Sequence, residues 1–267
     1  AGFIGCALSS SLADRFAQVV VVDNLHPQIH AERKRPDALD DRCKLVVADV
    51  CEPGTWDALL PKFSPEVVIH LAAETGTGQS LTEASRHALV NVVGTSQLLD
   101  GLHRHGAIPA KLLLSSSRAV YGEGAWQRED GSVHYPGQRS ADQLAKVEWD
   151  FAGSRPLPFQ AARTQPAPTS IYGSTKLAQE HLITTWALAH GVSTRILRLQ
   201  NVYGPGQSLS NPYTGIVSLF VRLAKQHKAT PLYEDGDMTR DFVLIDDVAS
   251  ALLAALEAEQ GGFVLDV

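Results

Sequence analysis

Tyr172 and Lys176 stand four residues apart in Tyr172-Gly173-Ser174-Thr175-Lys176, a spacing that puts both side chains on one face of a helix. A lysine ammonium beside a phenol favours the phenolate, which lowers the tyrosine pKa toward the working pH and makes it a general base. The same pair also suits a solvated lysine beside a half-buried tyrosine. Ser117 shifts that balance. It closes the run Leu112-Leu113-Leu114-Ser115-Ser116-Ser117, which reads as a parallel strand, and open α/β sheets bind ligands at the carboxyl ends of their strands. A hydroxyl there can hold a sugar hydroxyl or a carbonyl oxygen against the phenol.

A second group of residues suits a dinucleotide. Ala1-Gly2-Phe3-Ile4-Gly5 precedes a helical stretch, and a glycine turn at a helix N-terminus presents backbone N–H groups and the helix dipole to a pyrophosphate. Two glycines before a helix also occur in many α/β proteins with no such ligand. Asp23 ends a strand-like run 18 residues after Gly5, close to the roughly 20-residue offset at which an acidic side chain accepts from ribose hydroxyls. A carboxylate there repels a 2′-phosphate, which favours NAD over NADP. Asp23-Asn24 is equally good turn chemistry. Asp49, ending the next run, either faces the adenine edge or simply terminates its strand.

The elements that must position these groups alternate along the chain. Val19–Val22, Lys44–Ala48, Glu66–Leu71, Leu112–Leu114 and Thr194–Leu199 read as strands buried on both faces, the mark of a parallel sheet. Between them, helical spacing spans about residues 5–16, 85–105 and 172–190, the last ending at Gly191 as a C-cap. The expected fold is α/β: a Rossmann-type doubly wound parallel sheet over residues 1–200, with a smaller C-terminal substrate-binding lobe over 201–267. A helix over 243–258 returns to the sheet. Residues 123–168, rich in Gly, Pro, Arg and Gln, read as an insertion.

Composition narrows the function classes. No apolar run approaches the ~18 residues of a membrane span. With 29 acidic and 23 basic residues the formal charge is −6, which argues against a nucleic-acid partner. Cys6, Cys43 and Cys51 are odd in number and lack metal-ribbon spacing. That disfavours a disulfide framework and a metal site, and suits a reducing cytoplasm. The chain opens at Ala1 with Met238 as its only methionine; the expectation is that a strand and the first glycine of the turn precede Ala1.

Taken in order, these motifs resemble the extended short-chain dehydrogenase/reductases of the nucleotide-sugar epimerase/dehydratase type, over nearly the whole chain. The resemblance implies that Gly2, Phe3, Ile4 and Gly5 form the second half of the cofactor turn. Asp23, Asn24, Asp49 and Val50 would take the adenosine, and Leu71, Ala72 and Ala73 would lie beside the cofactor phosphates. Asn91, in Asn91-Val92-Val93-Gly94-Thr95, belongs to the central helix and would also bind the cofactor. Ser115 and Ser117 lie on the catalytic strand, and Ser117, Tyr172 and Lys176 form the catalytic group, with Ser115, Tyr172, Lys176 and Val202 also facing NAD. Asn201 in Arg198-Leu199-Gln200-Asn201-Val202-Tyr203-Gly204-Pro205 and Arg240 in Thr239-Arg240-Asp241-Phe242 would hold the substrate diphosphate. Arg118 would line the same pocket, and Tyr233 would stack on the substrate base.

Departures from the family pattern narrow the chemistry. Related 4,6-dehydratases carry an acidic residue just after the catalytic Ser/Thr, where this chain has Arg118-Ala119. Neither side chain takes a proton from carbon 5, so the resemblance implies NAD-dependent 4-epimerisation of a nucleotide-diphosphate sugar through a 4-keto intermediate. The insertion resembles that of a subgroup of bacterial 4-epimerases acting on dTDP-6-deoxy sugars such as dTDP-L-rhamnose, in surface-polysaccharide synthesis. It reads either as a pocket wall or as a surface excursion. A 4-ketosugar reductase shares the same residues, and a non-catalytic NAD sensor shares the fold. Relatives commonly form homodimers through the helices at 85–105 and 172–190, and continue the substrate lobe beyond Val267.

Overall fold

The apolar runs become strands and the periodic stretches helices in the computed structural model, which describes residues 1–208, 215–230, 232 and 234–267. Helix α1 (Phe3–Arg15) leads to β1 (Val19–Asp23) and β2 (Cys43–Val47), and α2 (Pro53–Leu59) to β3 (Val67–His70). Short helices α3 (Thr77–Ser80) and α4 (Ala84–Ala88), a π-helical turn (Leu89–Val93) and α5 (Gly94–Arg104) precede β4 (Lys111–Ser117). A 3-10 turn (Arg118–Tyr121) opens onto β5 (Trp126–Arg128), β6 (Val133–His134), α6 (Ala141–Ala145) and β7 (Ser154–Pro156). Then come α7 (Ile171–His190), β8 (Ser193–Leu199), β9 (Asn201–Tyr203), α8 (Ile216–Lys225), β10 (Phe242–Leu244), α9 (Ile245–Glu257) and β11 (Phe263–Asp266).

The central sheet is parallel, in the order β11-β8-β4-β3. Alternation along β4 and β8 sends successive side chains to opposite faces. Leu113 and Leu197 join Leu8 of α1 and Val248 and Leu252 of α9 on one face. On the other, Leu112, Leu114 and Ile196 meet Leu99 of α5 and Ile183 of α7. Each such side chain, fully buried, contributes roughly 1.5–3 kcal/mol. Helices on both faces of a parallel sheet make this the doubly wound architecture.

Three expectations change. β1 and β2 form a separate parallel pair and are not buried on both faces: Val47 is 62% exposed. The insertion builds an antiparallel sheet of its own, β6-β5-β7. The end of the chain, expected in the substrate lobe, returns to the central sheet as β11, paired along β8. β9 and β10 form a further two-stranded parallel pair, with Val202 and Val243 packed against the core.

Helix α7 lies on the sheet with polar groups inward. Glu180, 4% exposed, accepts from Ser116 Oγ at 2.5 Å and from Arg198 Nε and Nη2 at 3.0 and 2.7 Å. Ser116 and Arg198 are register partners on β4 and β8, so one carboxylate ties the helix to both central strands. Removing one partner of such a buried pair strands the other charge. Glu180→Ala should therefore lower the free energy of unfolding in urea by about 3–5 kcal/mol. A loss below ~1 kcal/mol would show that the pair does not hold the helix down.

Candidate active site

Gly173 explains how Tyr172 is brought to Ser117. A Cβ on Gly173 would lie 2.4 Å from the carbonyl oxygen of Ala119, so only glycine lets the first turn of α7 seat against the 3-10 turn that follows β4. Ser170 caps the helix, its hydroxyl accepting from Gly173 N at 3.0 Å, and the Tyr172 amide donates to Ser80 Oγ at 3.1 Å. Ser117 Oγ accepts from Ala119 N at 3.1 Å and faces the phenol. Burial pushes the Tyr172 hydroxyl up, while the Ser117 hydroxyl and the charge of Arg118 pull it down. The cation acting on the phenol is thus Arg118, where the i,i+4 spacing led us to expect Lys176.

Lys176 faces inward instead, because the nearest acceptor under the helix belongs to its own face. Its ammonium donates to Gln179 Oε1 at 2.6 Å. Gln179 Nε2 donates to Thr95 Oγ1 at 2.8 Å and contacts His70 Nε2 at 3.2 Å, and His70 Nε2 lies 2.8 Å from Thr95 Oγ1. Burial, then the Lys176 charge, holds the imidazole near 3, hence neutral. Burial likewise depresses the Lys176 ammonium to about 7, against a smaller opposing pull from Glu180.

The π-helical turn places Asn91 inside this layer. An extra residue in a helical turn redirects a side chain, a feature often found at functional sites. Asn91 accepts from Glu74 N at 2.8 Å and donates to Glu74 O at 3.0 Å and Thr175 Oγ1 at 2.9 Å. It thereby joins the loop after β3 to α7. Thr175, Gln179, Glu180 and His70 were missed as site-building residues; the i+3 and i+4 offsets of Gln179 and Glu180 from Lys176 were the available signal.

The glycine turn and strand ends offer a fitting cradle for NAD. Gly2 caps α1 without a side-chain bond, a Cβ on Gly2 would meet nothing within 4 Å, and the first amides of a helix have no intrahelical acceptor. Leu71, ahead of Ala72 and Ala73, comes within 3.8 Å of a Cβ built on Gly5. Asp23 ends β1 and accepts from Leu25 N at 2.8 Å. Asn24 Nδ2 donates to Asp49 Oδ2 at 3.0 Å, so both strand ends share one edge. A Cβ on Gly94 would meet Val50 at 3.0 Å. Ser115 is buried within β4, and Val202 packs against the α1–α9 face.

Pairing of β9 with β10 sets Asn201 opposite Phe242, and Asn201 Nδ2 donates to Asp241 O at 2.8 Å. Arg240, next along, donates to its neighbour Thr239 O at 2.8 Å. Arg118 feels the charges of Arg240, Glu123 and Tyr172, and its guanidinium has no hydrogen-bond partner among the described residues. Phenol, Arg118 and Arg240 therefore form one array. Tyr233 lies outside the described residues.

Two measurements test this geometry. Gly173→Ala should cut turnover by about 100-fold by displacing the phenol, with the far-UV circular dichroism retained; undiminished turnover would show that the contact is slack. Lys176→Met should raise Tm more at pH 6.5 than at pH 9.5. The native ammonium is held to about 7 and the unfolded one titrates near 10.4. Between these values the unfolded state binds more protons, so the parent chain gains stability as pH rises and its penalty is full below 7. Equal shifts at both pH values would remove the buried ammonium as the cause.

Known proteins fit this picture. Residues 1–148 and 151–265 match the model of the NAD dependent epimerase/dehydratase family. The chain is 64% identical to a dTDP-L-rhamnose 4-epimerase of Burkholderia thailandensis over 97% of its own length and 71% of that protein's. A UDP-glucose 4-epimerase of Thermotoga maritima, solved with UDP-glucose, superposes with a TM-score of 0.76 at 25% identity, covering all of this chain and 74% of that one. A Thermus thermophilus UDP-glucose 4-epimerase, solved with NAD, gives 0.74 at 25% identity, over all of this chain and 75% of that one. No helix among the described residues is long and apolar enough to cross a membrane. By matched length, close relative and shared fold alike, the chain belongs to the NAD-dependent epimerase/dehydratase family.

Proposed function

We propose that this chain carries out NAD-dependent 4-epimerisation of a nucleotide-diphosphate sugar, with a dTDP-6-deoxy sugar of the L-rhamnose type as substrate. The observation that carries the reading is the 64% identity to a dTDP-L-rhamnose 4-epimerase across 97% of the chain. The site supports it: Ser117, Tyr172 and Arg118 share one end of β4, and no acidic side chain occupies positions 118 and 119.

The α1 N-terminus, Asp23, Asn24 and Asp49 hold NAD, and bound NAD supplies the acceptor and donor of the C4 hydride. Tyr172 takes the proton of the sugar 4-hydroxyl and returns it after the sugar has turned over. Its phenol is buried, which opposes ionisation, so the nearby positive charge of Arg118 and the Ser117 hydroxyl are needed to bring a phenolate within reach. Ser117 donates to the keto oxygen in the intermediate. Lys176, depressed to about 7 by burial, holds Gln179 on the inner face of the helix that carries the phenol. Arg240 and Asn201 anchor the diphosphate, so binding energy is drawn from a remote group and the sugar stays free to rotate.

We further propose a homodimer through the π-helical turn, α5 and α7, where Leu89, Val93 and Leu188 remain exposed, and a cytoplasmic setting in keeping with three unpaired cysteines. The purified enzyme should interconvert its sugar nucleotide without added NADH, and Tyr172→Phe should lower turnover by about 100- to 10,000-fold with NAD still bound. Stoichiometric loss of reduced-nicotinamide absorbance would select the ketosugar reductase instead. Full activity of Tyr172→Phe would refute the mechanism.

A further inference from the structure

The insertion is fastened to β11 and to the 3-10 turn that follows the catalytic strand. At its base, Tyr121 Oη donates to Asp266 Oδ1 at 2.6 Å, and Ala161 N donates to Asp266 Oδ2 at 2.6 Å. Leu157 N donates to Ala125 O and Ala167 N to Val120 O, each at 2.9 Å. Two glycines admit this packing. Gly122, at φ 61°, would carry a Cβ 2.1 Å from Ala167 O, and Gly124, at φ 74°, one 2.2 Å from Phe159.

The outer arm of the insertion then folds back over the start of α7. Tyr135 Oη accepts from Gln165 N at 2.9 Å, and Gln138 Nε2 donates to Thr169 O at 2.6 Å, three residues before Tyr172. Beside it, Arg139 pairs with Glu123 at 3.0 Å, bonds to Trp149 O and lies over the Phe151 ring at 5.5 Å. Its side chain is only 12% exposed. Glu123 follows the 3-10 turn that bears Arg118, and both Glu123 and Arg139 act electrostatically on Arg240. Arg139 thus shares Glu123 with the segment that bears Arg118, and Glu123 acts on Arg118 and, with Glu234, on Arg240. Like charges held in one neighbourhood repel, and an anionic ligand relieves that repulsion.

We propose that the insertion is a wall of the substrate site and that it supplies Arg139 as a third cation, beside Arg118 and Arg240, for the diphosphate of the sugar nucleotide. Glu123 holds the guanidinium in place before the ligand arrives. The inference rests on the epimerase reading, since the anion it names is that reading's substrate.

The probe is dTDP, titrated by calorimetry into the NAD-loaded enzyme. Arg139→Met keeps the apolar stem against Phe151 and removes the charge. It should weaken dTDP by about 10- to 100-fold, as expected for loss of a charge-assisted bond, and Arg139→Lys should recover part of it. Trypsin reports on the arm, because Lys146 and Arg163 are exposed within the insertion; their cleavage rate should not change in Arg139→Met. Wild-type affinity in that variant overturns the proposal. So does weaker binding accompanied by faster cleavage with no recovery in Arg139→Lys, which makes Arg139 a structural latch alone. Absence of dTDP binding by the unaltered enzyme overturns the epimerase reading itself, and the proposal with it.

Discussion

A helix with a charged underside has to be buried against the sheet, and the pairing of Glu180 is what permits it. Lys176, Gln179 and Glu180 are all buried on α7, and each unpaired polar group there would cost far more than an apolar one. Glu180 meets Arg198 and Ser116, Arg198 lies 4.8 Å over the Tyr121 ring, and Tyr121 reaches Asp266 of β11. This line of contacts runs from the catalytic helix across β4 and β8 to the last strand. It also fixes the base of the insertion, because Asp266 holds Ala161. Helix, catalytic strand and insertion are thereby set by one chain of charge-assisted bonds.

Next to that charged line runs a neutral one. Lys176, Gln179, Thr95 and His70 are bonded in sequence beneath the same helix, and burial drives the lysine and the histidine toward their uncharged forms. The separation has a use. A fully charged Lys176 next to Glu180 would be a plain structural ion pair, whereas one poised near neutrality responds to whatever charge develops above it. Tyr172 is pushed up by burial and drawn back by the Ser117 hydroxyl and the charge of Arg118, whereas Lys176 bonds to Gln179 on the inner face. Arg118 is permanently charged; Lys176 titrates.

What could be read from the sequence divides along a physical line. β4 is legible because burial on both faces leaves the apolar run Leu112–Leu114, and α7 because the helical spacing and Gly191 mark its extent. Gly191 does sit in the left-handed region at φ 67°, as a C-cap requires. β11 was not legible as part of the sheet, since Phe263–Asp266 is short and only its pairing with β8 identifies it. At the site, Tyr172, Lys176 and Ser117 announce themselves by type and spacing. The partner that Lys176 chooses does not: Gln179 competes for the ammonium only because burial leaves it no water. Arg139 was invisible for another reason, as its neighbours Glu123 and Trp149 are brought to it by loops without periodicity.

The charge balance connects these observations. Acidic residues exceed basic ones along the chain, yet Arg118, Arg139 and Arg240 gather at one end of β4. Long-range attraction would therefore do little to draw an anionic ligand to the molecule as a whole, and local focusing has to do it. Such an arrangement suits a reaction in which the sugar must be released and re-presented by its other face while its carrier stays bound. Strong contacts to the sugar itself would oppose that rotation, whereas contacts to the diphosphate leave it free. Arg118 is the residue at which the two requirements join, since it feels the charges of Tyr172 and of Arg240.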